Sequence, residues 1–233
     1  MKLKALFKKI KLLYRWTLTS FPLKEEFGYC GKNTVLQYPL RIYSKKSVFI
    51  DENVKISSGL QILNAPEEKV HIKKYSVLAA NCTISTNNHI KTVTIPQFLL
   101  GASHVNDISA AETVINEDVW FGTNVTILSG VNIGRGCIVG ANSVVTKSLP
   151  PYSVAIGSPA RIVKKVFTVE QILKHEAVLY PENERMTREE LEENERKHFP
   201  DIGVYGTDQG IDEQAIDRIK RMKKMLRFIE PNM

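Results

Sequence analysis

Large apolar residues recur every six positions from Ile115, with Phe121, Ile127, Ile133, Val139 and Val145 following in step. Four residues after each of these leads stands a mostly compact residue: Val119, Val125, Val131, Cys137, Ser143 and Leu149. Between them lie Glu117-Asp118, Thr123-Asn124, Ser129-Gly130, Arg135-Gly136, Ala141-Asn142 and Lys147-Ser148, pairs rich in residues that turn a chain. The same grammar appears earlier in three shorter sets. These are Cys30, Leu36 and Ile42; Ile50, Ile56 and Ile62; and Ile72, Leu78 and Ile84, with the polar stretch NAPEEK (64–69) reading as an outward loop. A six-residue period is wrong for a helix and too regular for hairpins. It predicts short strands joined by tight corners, three to a coil of about 18 residues, stacked as a parallel β-solenoid. Each lead then stacks on its equivalent one coil away. Residues 90–113 break the rule and read as an inserted loop.

The two ends follow a helical period instead. In residues 1–17, Leu3, Leu6, Phe7, Ile10, Leu13, Tyr14 and Thr17 fall on one face, and the lysines and Arg15 fill most of the other. Two roles fit such a basic amphipathic helix. It can lie in the headgroup region of an anionic membrane with Trp16 near the interface, or pack its stripe on the solenoid's open end or on a neighbouring subunit. Near the other end, Thr168 with Gln171 and Thr187 with Glu190 are capping boxes that predict helices over 169–179 and 188–198. Residues 212–229 predict a third helix. The domain plan is therefore a helix over 1–24, a β domain over 28–165 and a helical extension over 166–233.

Charge and cysteine content narrow the function class. The 233 residues carry a formal net charge of +7. Seven of the basic residues (Lys2, Lys4, Lys8, Lys9, Lys11, Arg15 and Lys24) precede the first acid, Glu25, and the rest of the chain carries 25 of each sign. A neutral body argues against a nucleic-acid-binding domain. No stretch approaches the ~20 apolar residues needed to cross a bilayer. Cys30, Cys82 and Cys137 are odd in number, far apart and without CxxC spacing. That argues against a disulfide framework or a cysteine zinc site and fits a reducing cytoplasm.

The run 113–165, TVINEDVWFGTNVTILSGVNIGRGCIVGANSVVTKSLPPYSVAIGSPARIVKK, closely resembles the end of the hexapeptide-repeat acyltransferases. The order of DVWFG followed by VVTKSLPPYSVAIGSPAR carries the resemblance, which covers roughly residues 30–165. It implies a mainly β fold: a left-handed parallel β-helix of hexapeptide repeats with helical N- and C-terminal extensions. It also implies a homotrimer with active sites between subunits and acetyl-CoA as the donor, with no metal expected. The segment FTVEQILKHEAVLYPENER is similar to the extension of some bacterial surface-polysaccharide acetyltransferases. The resemblance is strongest to the sugar and polysaccharide O-acetyltransferases, giving a carbohydrate acceptor and a place in the cytoplasm or on the inner face of its membrane.

A neutral hydroxyl is a poor nucleophile, so acyl transfer from a thioester to a sugar needs a base, most often histidine. By resemblance that base is His89, in ISTNNHI. Asn88, Phe98 and His104 are the candidate acceptor contacts, and Asp107 or Glu112 could orient His89. The family's donor site carries over onto Trp120, Thr123, Ala141, Thr146, Lys147, Arg161 and Lys164. A small residue such as Ala141 lets the pantetheine approach the backbone, and the cations meet phosphate. Phe121 departs from the isoleucine found in many relatives. Three rival functions stand beside this one: an antibiotic-modifying acetyltransferase, a sugar-nucleotide N-acetyltransferase, and a γ-type carbonic anhydrase with zinc on His71, His89 and His104. A scaffold solenoid without catalysis is a further option.

Overall fold

The computed structural model describes residues 9–86 (Leu12, Arg15 and Leu18 apart), 91–99, 112–209 and 212–227, the side chains of the last helix as far as 221. The chain divides into two compact units, Met1–Val163 and Lys164–Met233.

In the first unit each six-residue step yields a two- or three-residue strand and a corner. Coil one holds β1 (Tyr29–Cys30), β2 (Val35–Leu36) and β3 (Arg41–Ile42); coil two holds β4 (Val48–Ile50), β5 (Lys55–Ile56) and β6 (Gln61–Leu63). Coil three holds β7 (Val70–Ile72), β8 (Val77–Leu78) and β9 (Thr83–Ser85), and coil four β10 (Thr113–Ile115), β11 (Trp120–Phe121) and β12 (Thr126–Leu128). Coil five holds β13 (Asn132–Ile133), β14 (Ile138–Val139) and β15 (Val144–Val145); β16 (Ser153–Ile156) and β17 (Arg161–Lys165) complete the series.

Strands of successive coils pair in parallel and form three sheets. The first is β1-β4-β7-β10-β13, the second contains β2-β5-β8-β11-β14-β16 with β17 at its edge, and the third is β3-β6-β9-β12-β15. The register matches the sequence period. Cys30, Ile50, Ile72, Ile115 and Ile133 form one column; Leu36, Ile56, Leu78, Phe121, Val139 and Ala155 form the second; Ile42, Ile62, Ile84, Ile127 and Val145 form the third. Nearly all these side chains are buried. Fully burying each large apolar lead stabilises the stack by about 1.5–3 kcal/mol.

The corners need left-handed backbone, which Asn tolerates better than most residues. Asn33, Asn53, Asn81, Asn124 and Asn142 all adopt it, with φ between 57° and 61°. Carboxamides also join successive corners: Asn124 Nδ2 donates to Asn142 Oδ1 at 3.1 Å.

At the N-terminal end, the described residues of 9–20 are helical (α1). Its end is tied to the first coil by the Leu40 amide, which donates to the Ser20 carbonyl at 2.8 Å. The Tyr38 hydroxyl donates to the Pro22 carbonyl at 2.8 Å. Phe27 and Leu40 are buried members of the apolar core. Ile10, Leu13 and Tyr14 of the helix stripe are exposed. Packing of that stripe on the open end is therefore not what these described residues do.

The second unit contains α2 (Val169–Leu179), α3 (Arg188–His198) and α4 (Glu213–Arg227). Both predicted capping boxes form. Thr168 Oγ1 accepts from the Gln171 amide, and Gln171 Oε1 from the Thr168 amide. Thr187 and Glu190 do the same. Arg188 grips both Glu170 carboxylate oxygens, at 2.6 and 3.1 Å, and so links α3 to α2. Among the described residues no helix is long and apolar enough to cross a membrane.

Candidate active site

The corner between the second and third sheets carries two of the anticipated donor residues. The pairing of Trp120 with Ile138 and Phe121 with Val139, carried two residues on, places Ala141 directly over Thr123. The Asn142 amide donates to the Thr123 carbonyl at 2.9 Å, and the Asn124 amide reaches the Ala80 carbonyl at 3.0 Å. Ala80, Thr123 and Ala141 thus form a line of small side chains up one edge. The coils are close here. A Cβ on Gly122 would stand 2.6 Å from the Ala141 amide nitrogen, and one on Gly140 2.7 Å from Ile156 Cγ2. Trp120 precedes this edge on β11 and is 46% exposed.

Thr146 and Lys147 lie at the opposite edge of the third sheet, exposed after β15. Arg161 is exposed on β17 and donates to the Ala160 carbonyl at 3.1 Å. Lys164 is also exposed on β17 but belongs to the second unit. The six anticipated donor residues of the first unit therefore fall at separate edges of the stack. Thr123 and Ala141 adjoin; Thr146 and Lys147 flank the other side of their sheet.

The corner between the third and first sheets is the root of the inserted segment. His89, Asn88, His104 and Asp107 lie outside the described residues. The backbone leading to them is well anchored as far as Thr86, which is buried. Thr86 Oγ1 donates to Glu68 Oε2 at 2.5 Å and lies 3.3 Å from the Leu63 carbonyl. Glu68 also caps its own loop, accepting from the Ala65 amide at 2.8 Å. Asn64 is buried, not outward, and exchanges two hydrogen bonds with the Ser44 backbone at 3.1 and 3.0 Å. Carrying the β9–β12 and β12–β15 register forward puts Thr86, Ser129 and Lys147 on one column. The segment with His89 and the cation Lys147 thus leave from the same edge.

Where the chain returns at Glu112, its carboxylate lies 3.4 Å from Lys69 Nζ and 3.7 Å from His71 Nε2. The His71 ring stacks on Phe49, centroids 4.8 Å apart. Among the described residues its buried Nε2 has no hydrogen-bond partner. Phe98, on the short 3-10 turn Gln97–Leu99, is 94% exposed. Among the described residues no three His, Cys, Asp or Glu side chains come together as a metal site.

Two features of these edges escape sequence reasoning. One is the Glu68–Thr86 anchor. The other is a half-buried ion cluster at the first corner, where Glu117 meets Arg135 Nε at 3.1 Å and Lys73 Nζ at 3.5 Å. Burial pushes the Glu117 carboxyl up, but its own backbone amide and the two cations outweigh this and hold it below the usual carboxylate range. Asp51, nearby in the same series of corners, goes the other way. Burial and then Glu52 raise its pKa, only partly offset by the Lys74 amide. Neither could be read from spacing, because both depend on which coil lies above which.

The bacterial transferase hexapeptide family model (six repeats) matches residues 112–147. A putative lipopolysaccharide biosynthesis O-acetyl transferase of Escherichia coli strain K12 is 32% identical over 145 residues, 58% of this chain and 70% of that protein. The chain belongs to the hexapeptide-repeat acetyltransferases. Other relatives of this acetyltransferase match more locally. A probable macrolide acetyltransferase of Lysinibacillus sphaericus is 54% identical over 61 residues, 26% of this chain and only 34% of that protein. Among solved structures, a hexapeptide-repeat acetyltransferase of Vibrio cholerae complexed with acetyl coenzyme A superposes with a TM-score of 0.53 at 28% identity. That similarity covers 61% of this chain and 73% of the other.

Proposed function

We propose that this acetyltransferase moves an acetyl group from acetyl-CoA to a hydroxyl of a sugar in a bacterial surface polysaccharide or its lipid-linked precursor. The observation that carries the reading is the similarity to the putative lipopolysaccharide biosynthesis O-acetyl transferase of Escherichia coli, which extends over 70% of that protein. The similarity to the macrolide enzyme is confined to 61 residues and therefore says more about a shared repeat than about the acceptor.

The residues present fit a thioester donor. The small side chains of Ala80, Thr123 and Ala141 would let a pantetheine arm come close to the backbone of that edge, and Trp120 is exposed on the strand that precedes it. Lys147 and Arg161 supply cations for its phosphates. Because Thr146 and Lys147 lie across the third sheet from Thr123 and Ala141, the reading includes a homotrimer in which one subunit completes its neighbour's donor site. It also includes the family's left-handed coil and action at the cytoplasmic face.

The bound donor supplies an acetyl thioester, whose carbonyl carbon accepts an oxygen nucleophile. In this reading His89 accepts the proton of the acceptor hydroxyl as that oxygen bonds to the carbonyl carbon. The carbon–sulfur bond then breaks, and the proton passes from the imidazole to the departing thiolate. The products are a sugar acetate ester and CoA thiol. A backbone N–H at the coil edge would meet the charge that develops on the carbonyl oxygen.

The test is a screen of the purified protein with acetyl-CoA against sugars, lipid-linked saccharides, amino sugars and macrolides, reading thiol release and product mass. Ester formation on a saccharide supports the proposal; amide formation, or acetylation of macrolides alone, overturns it.

A further inference from the structure

The face of α1 that should be hidden is open. At 100° per residue, Ile10, Leu13, Tyr14 and Thr17 fall within one arc of the helix, continuous with Leu3, Leu6 and Phe7 in the sequence. Ile10 is 54%, Leu13 62% and Tyr14 65% exposed. The helix meets its own body through a different edge. Ser20 is buried, and Trp16 faces a shallow cleft formed with Pro39, Leu40, Gly59 and Asn81. Below it the Trp16, Phe21 and Tyr38 rings form a chain with centroids 5.4 and 5.5 Å apart. Half of the Trp16 surface remains open, as does 40% of Phe21.

Charge decides what can cover this face. The first 24 residues contain seven cations and no acid, and Lys9 and Lys11 are both exposed. A second copy laid stripe to stripe would bring like charges together with no carboxylate on the segment to pair them. An anionic bilayer supplies the missing sign and an apolar layer at the same time. Tyr and Trp at the margin of the stripe are the side chains that favour the headgroup boundary.

We infer that the helical turns within residues 9–20 dock in the plane of anionic lipid bilayers, with Ile10, Leu13 and Tyr14 entering the acyl boundary and Lys9 and Lys11 meeting headgroups. The first unit is thereby held at a membrane surface. The inference concerns binding alone and does not depend on which acceptor the enzyme uses.

Sedimentation of the full chain with vesicles tests it. Vesicles of phosphatidylcholine with phosphatidylglycerol should carry the protein down, and vesicles of phosphatidylcholine alone should bind at least about tenfold less. High salt should release it. Leu13→Asp and Lys11→Glu should each weaken binding by about tenfold or more, with far-ultraviolet circular dichroism and elution volume unchanged. Both positions are exposed, so neither variant removes a core contact. Equal binding to neutral and anionic vesicles, or no binding to either, overturns the inference. So does a Leu13→Asp variant that binds vesicles normally but has a smaller solution mass, because the stripe is then a contact between copies.

Discussion

Gly122 faces Ala141 across one turn of the stack so closely that a single added methyl would stand 2.6 Å from the Ala141 amide nitrogen. The neighbour is backbone, held by the hydrogen bond from the Asn142 amide to the Thr123 carbonyl, so it cannot swing aside. Gly122→Ala should therefore destabilise the protein by about 1–3 kcal/mol. It should also weaken CoA binding, because the strained edge is the proposed donor edge. Thermal melting and calorimetric titration with CoA measure the two effects.

Phe121 fills the second apolar column between Leu78 and Val139 and is fully buried. Phe121→Ala should cost about 3–5 kcal/mol, whereas Phe121→Ile, which keeps a large apolar side chain in the column, should cost much less. Urea denaturation of the two variants provides the comparison.

Glu117 should govern the acid side of the stability profile. A folded-state pKa below the unfolded one adds stability above the unfolded value, and this is lost as pH falls through the carboxylate range. Glu117→Gln should lower stability at neutral pH by about 1–3 kcal/mol and flatten the loss towards about pH 4. Asp51 has the opposite sign: its raised pKa costs stability at neutral pH, and the cost disappears on protonation. Asp51→Asn should leave neutral-pH stability unchanged or higher. Melting temperatures of both variants across the acid range check the signs.

The thiols should differ in reactivity by burial. Cys137 is fully enclosed, burial pushes its pKa up to about 12, and its Sγ lies 3.1 Å from the Pro150 carbonyl. Cys82 is buried too, whereas Cys30 is partly exposed. Native protein treated with a thiol reagent at mildly alkaline pH should label at Cys30 first and leave Cys137 untouched until it unfolds. Peptide mass mapping identifies the labelled site.

The coil architecture was legible because its cause is local. A stacked coil needs an apolar lead every six residues, and Ile115 through Val145 display the period without a break. The two capping boxes were legible for the same reason, since Thr168 and Gln171 satisfy each other within one turn. The anchors were not. Thr86 and Glu68 are 18 residues apart. Lys73 and Glu117 lie on opposite sides of the insertion, so their meeting depends on coil stacking. Asn64 illustrates the limit: as part of a polar stretch it reads as surface, yet its carboxamide is spent on the Ser44 backbone. The candidate site was legible only through resemblance. Trp120, Thr123 and Ala141 were anticipated as donor contacts by resemblance alone, and spacing gives no sign that Thr146 and Lys147 stand at another edge.

The claim that His89 is the general base for acetyl transfer is tested most directly by comparing turnover and CoA affinity of His89→Ala with those of the unaltered protein. Turnover should fall by about 10²–10⁴-fold while the Kd for CoA changes little. Turnover retained within a few-fold would contradict the account.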